Sequence, residues 1–207
     1  MKPLKTLLMC CVSLMALSGC AGTGEVIPLQ IHSLGTGSGT VSKPSAPLRV
    51  ALAPIEDGRS HKTGLGVRTH LWGGVTYYDA PGGNPTEVVA KALTDYLNAK
   101  GWQVIKPDSS EAADVVLTGS LLDLSVHAKS RVFFTEISTK TRLALQAQNA
   151  ADGSTVNITL NGSGSDDEFW FDTEDVEALV NDVLTDSFGK LIQDTTVQNS
   201  VLRLKAH

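Results

Sequence analysis

After residue 20 this 207-residue chain contains no cysteine: its three are Cys10, Cys11 and Cys20. A domain built from the later residues has no disulfide, no thiol nucleophile and no cysteine-type zinc site. Basic residues are also scarce, 17 Lys and Arg against 22 Asp and Glu, and they form no run. That leaves a nucleic-acid partner without its electrostatic footprint, and adhesion to anionic lipid through a basic face without support. No apolar stretch approaches the about 20 residues that a spanning helix needs. The five histidines, His32, His61, His70, His127 and His207, fall into no zinc spacing. A Gly-x-Ser-x-Gly nucleophile turn is missing too, and Ser163-Gly164-Ser165 lacks the strand-to-helix setting. The reading is therefore of a chain with no catalytic set, no metal and no cofactor.

What is present begins at the N-terminus. Lys2 and Lys5 precede an apolar run from Thr6 to Leu17, followed by Leu17-Ser18-Gly19-Cys20. A basic start, a short apolar centre and small residues at the cut read as a secretory leader of residues 1–19. The final four residues resemble the lipobox of bacterial lipoproteins. That resemblance implies cleavage before Cys20, a diacylglycerol thioether on its sulfur and an acylated amine. It also implies a sorting rule: Ala21 and Gly22, with no Asp after the cysteine, point to the outer membrane with the domain facing the periplasm. Two or more acyl chains anchor stably where one is marginal. Loss of Lys2 and Lys5 leaves 15 basic against 22 acidic side chains, a formal net of −7.

Residues 20–47 read as a flexible tether, with Gly22, Gly24, Gly35, Gly37, Gly39, Pro44 and Pro47. Within it, Val26-Ile27-Pro28-Leu29 and Ile31 are more apolar than a linker requires; docking on the domain or pairing with a strand is the alternative. Residues 48–207 read as one domain. Leu48–Ile55 is a buried strand, and 56–83 has no clear period. Asn84-Pro85-Thr86-Glu87 starts a helix whose stripe of Val88, Val89, Ala92, Leu93, Tyr96 and Leu97 stops at Gly101. A short strand over 102–105 is followed by Ala113–Val126, with a bulge expected at Gly119. The run 131–148 alternates, and Ala151-Asp152-Gly153-Ser154 turns it into 155–162. A helix from about Thr173 to Asp194, capped by Asp172 or Thr173, carries eight apolar residues on one stripe. The order predicts an α+β fold: a mixed or mainly antiparallel sheet with two helices packed on one face.

The C-terminal helix carries a second resemblance. Val180-Asn181-Asp182-Val183-Leu184-Thr185-Asp186-Ser187-Phe188, running into Gln193-Asp194-Thr195-Thr196-Val197, is similar to the closing segment of YajG-type lipoproteins. This implies an envelope lipoprotein with no assigned reaction, and no active-site residues to carry over.

Asp166-Asp167-Glu168 with Asp172, Glu174 and Asp175 is acidic but lacks EF-hand order, so a strand exit and a helix start explain it. The irregular stretch 56–83 is long enough to be functional. It holds the candidate partner-binding residues Asp57, Arg59, Trp72, Tyr77 and Tyr78. The rings are either anchors for a partner or a cover on the core, and Arg59 either binds outward or pairs with Asp57 or Glu56. The leading expectation is a non-enzymatic lipoprotein, membrane-bound through Cys20, that binds or scaffolds an envelope protein or peptidoglycan. The others are a structural subunit of an envelope assembly and an enzyme acting on the cell wall.

Overall fold

The structure is a computed structural model and describes residues 24–32, 47–107 and 111–205. Residues 1–19, read from sequence as a leader, and Cys20 lie outside the described residues. The long element is a three-stranded antiparallel meander, β7 (Val115–Ser130), β8 (Thr135–Asn149) and β9 (Thr155–Glu168). Strict alternation makes it one-sided. Val115, Leu117, Leu121, Leu124 and Val126 of β7 are buried, as are Ile137, Leu143, Leu145 and Ala147 of β8. The bulge that shifts the pleat lies at Leu122, between Leu121 and Asp123, and not at Gly119. Gly119 answers to packing: a Cβ there would meet Leu145 Cδ2 at 2.8 Å and the Ala144 carbonyl oxygen at 3.2 Å.

Short strands line the other edge of β7. β2 (Arg49–Leu52) runs parallel to its start with β6 (Gln103–Ile105) outside it, and β3 (Glu56–Asp57) pairs near its middle. β4 (Gly66–Thr69) runs parallel to its last third and forms a hairpin with β5 (Val75–Asp79). The stretch 56–83, read from sequence as irregular, thus supplies three strands. They are too short to show a period. Gly66 is required because a Cβ there would sit 1.7 Å from the Val126 carbonyl oxygen.

The boundary at residue 48 is also corrected. β1 (Glu25–Pro28) pairs parallel with β5, and Leu29 and Ile31 enter the core. Beyond β1 the chain is gripped by the C-terminal helix. Asn181 accepts from the His32 N–H (2.8 Å) and donates to the Gln30 carbonyl (3.1 Å), and Glu177 accepts from the Gln30 N–H (2.7 Å). Residues 24–32 therefore belong to the domain; Gly35, Gly37, Gly39 and Pro44 lie outside the described residues.

Two helices cover the apolar face. α1 (Pro85–Ala99) is capped by Asn84 and buries Val89, Ala92, Leu93, Tyr96 and Leu97. α2 (Thr173–Asp194) opens on a reciprocal box in which Asp172 caps and Asp175 reaches back. Its Val176, Val180, Leu184, Phe188 and Leu191 face the sheet. Gly162 and Gly164 of β9 let it approach, because a Cβ at either would press on Val183 at 2.8 and 2.7 Å. The helices meet where the Tyr96 and Phe188 rings lie 5.8 Å apart. The tail forms a separate hairpin, β10 (Thr195–Gln198) and β11 (Val201–Leu204). The observed class is α+β, a nine-stranded mixed sheet with two helices on one face. Among the described residues no helix is long and apolar enough to cross a membrane.

Candidate functional site

Three connections meet at one end of the sheet. The register places Thr69 beside both Val75 and Lys129, and Thr135 beside Glu168, so β4, β7 and β9 all finish there. The β4–β5 turn is closed by the His70 N–H on the Gly74 carbonyl (3.1 Å), with Gly73 and Gly74 at φ of 86° and 89°. Those left-handed positions suit glycine and leave Leu71 and Trp72 pointing outward. The β7–β8 turn is closed by the Arg131 N–H on the Phe134 carbonyl (2.7 Å) and projects Val132 and Phe133. The link from β9 to α2 is Phe169-Trp170-Phe171, ahead of the Asp172 cap.

Trp72 is 91% exposed, Trp170 85% and Phe133 74%, and Leu71, Val132, Phe134 and Phe169 are exposed with them. Four of the chain's five phenylalanines and two of its three tryptophans stand in these connections. The base of the surface is ordered by Arg68, whose guanidinium lies 3.8 Å from the Phe171 ring centre and donates to Ser130 Oγ. Phe169 and Trp170 meet edge to face at 5.4 Å. Charge around the rim is mixed. Arg131 pairs with Glu136 at 2.8 Å; Lys129 stands beside them, and Asp166, Asp167 and Glu168 lie on the β9 side. Burial, then the neighbouring Asp175 and Asp166, pushes the Glu168 carboxyl above its ordinary value. His70 is held below its usual range by burial and by Arg68, and its Nε2 lies 2.8 Å from Thr76 Oγ1.

The residues singled out from sequence separate into two groups. Trp72 belongs to this end, and Tyr77 is half-exposed on the outer face of β5 opposite Val26 of β1. Tyr78, by contrast, is 1% exposed in the core, where burial raises its hydroxyl to about 12. Arg59 is 5% exposed and grips Asp57 through two hydrogen bonds, at 3.0 and 3.1 Å. It also donates to the Gly64 carbonyl at 2.9 Å. The pair closes the 57–65 loop and holds the Asp57 carboxyl below its ordinary value, so Arg59 is engaged inside the loop and Tyr78 inside the core, while Asp57 stays partly exposed. Phe133, Phe134, Phe169 and Trp170 were missed. Their signal was an apolar triplet, Val132-Phe133-Phe134, where two alternating strands must turn, and an aromatic triplet just before a helix cap. Among the described residues no group of three or more His, Cys, Asp or Glu is placed to hold a metal.

No curated protein matches the chain. Its fold is that of protein XCC0632 from Xanthomonas campestris, at TM-score 0.51 and 12% identity over 82% of this chain and 92% of that one. Lipoprotein GNA1162 from Neisseria meningitidis is similar at TM-score 0.36 and 11% identity, over 68% of this chain and 97% of that one. A family model described as uncharacterized lipoprotein matches residues 80–201, which hold both helices and the whole meander. The chain belongs to this family of uncharacterized lipoproteins.

Proposed function

We propose that this lipoprotein is a non-enzymatic envelope component, anchored by acyl chains on Cys20 in the outer membrane with its domain in the periplasm. It works by contact made through the apolar end. The supporting observation is the concentration of exposed Trp and Phe in three converging connections, against a sheet whose open face carries Thr118, Arg142, Gln146 and Gln148. Monomeric domains rarely leave a contiguous apolar surface uncovered, and such surfaces mark where another body binds. Aromatic side chains supply large apolar contact area and fit an apolar counter-surface.

The test places a photo-crosslinking residue at Trp72, Phe133 or Trp170, and at Arg142 or Gln146 as controls, in intact cells. Adducts to protein or lipid from the first three and none from the controls are expected. Adducts from the controls alone would overturn the reading.

A further inference from the structure

We infer that the counter-surface of the apolar end is the bilayer that holds the Cys20 acyl chains, with Trp72, Phe133 and Trp170 resting in its interfacial layer. The inference rests on the anchored reading above and adds the identity of what the end touches.

Chain geometry carries it. Gly24 donates its N–H to the Val75 carbonyl at 2.8 Å. Val75 is the first residue of β5, directly after the turn that bears Trp72. Cys20 is four residues before Gly24, a span of at most about 14 Å at roughly 3.3–3.6 Å per residue. The start of β1 cannot swing away. Its pairing runs from Glu25 against Thr76 to Pro28 against Asp79, and Asn181 and Glu177 hold the following residues. An anchor on so short a lead keeps the membrane beside the start of β1, and the apolar end is the aromatic surface that lies there. A long tether would have left the orientation free.

Chemistry agrees with the geometry. Tryptophan is the residue most at home between headgroups and acyl chains, and Phe and Val beside it supply apolar area. Lys129, Arg131 and Arg68 are outnumbered by Glu136, Asp166, Asp167 and Glu168, so no net basic face exists to select anionic lipid. Apolar burial drives the contact, and zwitterionic lipid suffices.

The experiment reconstitutes the acylated protein, after mass spectrometry has confirmed the lipid on Cys20, in phosphatidylcholine vesicles with brominated acyl chains. Trp72 and Trp170 should lose most of their emission relative to unbrominated vesicles, with a shift to shorter wavelength. A Trp72→Phe, Trp170→Phe variant, which keeps only Trp102, should show no bromine dependence. Val132→Ser with Phe133→Ser should weaken the quenching. An acylated protein whose tryptophans ignore bromine overturns the bilayer contact. If the same positions then crosslink in cells to a protein or a second copy, the proposed function stands and this inference alone falls. A Cys20 without lipid overturns the anchored reading itself.

Discussion

The meander has two ends, and the same strands finish in opposite ways at each. At one end Ala150-Ala151-Asp152-Gly153-Ser154 makes a polar turn fastened by its own side chains. Asp152 accepts from the Ser154 N–H at 3.0 Å and pairs with Arg203, while Asn149 clasps Ser154 Oγ at 2.9 Å and both backbone groups of Leu202. At the other end Arg131-Val132-Phe133-Phe134 turns the chain with apolar side chains exposed. Strand geometry demands neither composition. Turns favour Gly, Asn, Asp and Ser for reasons of backbone conformation and local hydrogen bonding. An apolar turn therefore answers to something outside the fold, and a polar one to the fold itself.

The largest expected effect falls on the support common to both ends. Phe188→Ala removes a ring that is buried between α2, Tyr96 and the sheet. It should cost about 3–5 kcal/mol, read from urea unfolding of the whole chain. At the polar end, Asn149→Ala strands the N–H and carbonyl of Leu202 in a buried site. A loss of about 1–3 kcal/mol is expected, together with faster amide exchange in β10 and β11. An unchanged exchange rate there would remove Asn149 as the clasp. Gly162→Ala forces a Cβ to within 2.2 Å of Ser187 Oγ and should cost about 1–3 kcal/mol by overpacking.

These effects track how far each feature could be read from the chain. The helices were legible because their caps, Asn84 and Asp172, are local and their stripes run for several turns. The meander was legible from the strand-like run 113–126, the alternation of 131–148 and the Asp152-Gly153 turn. Its third strand was legible only to residue 162, because the outer half that runs on to Glu168 is polar. β4 and β5 were not, because strands of 4 and 5 residues show too few alternations to separate from a loop. The strand-like character of Val26 to Ile31 was visible, but its partners, Thr76 to Asp79 and Asn181, lie about 50 and 150 residues away in sequence. Of the apolar end only Trp72 was picked out, since its other parts come together through pairing register alone.

Acid should separate the two ends in sign, with a smaller effect than any of these substitutions. Asp152 at the polar turn has its carboxyl lowered, first by Ser154 and then by Arg203. Its contribution is in place above the ordinary carboxylate value of 3.8 and is lost as pH falls through the lower folded value. Glu168 near the apolar end is raised above 4.5, chiefly by burial. Its contribution is complete below 4.5 and is lost as pH rises through the higher folded value. Carbon-detected titration of the two carboxyls should find their midpoints displaced in opposite directions. Equal midpoints would remove electrostatics from the comparison.

The smallest expected change is the sharpest test of it. Trp72→Ser, Phe133→Ser and Trp170→Ser should each leave folding stability within about 0.5 kcal/mol of the parent. These side chains are exposed in the folded state as well as the unfolded one, so truncation removes little that folding had gained. Only the edge contact between Trp170 and Phe169 is lost. Midpoint and slope in urea should therefore superimpose on the parent, while the membrane contact of the anchored protein weakens by about tenfold or more per ring withdrawn. A loss of stability comparable to that of Asn149→Ala would mean the rings are packed against the domain, and the two turns would then differ in composition but not in purpose.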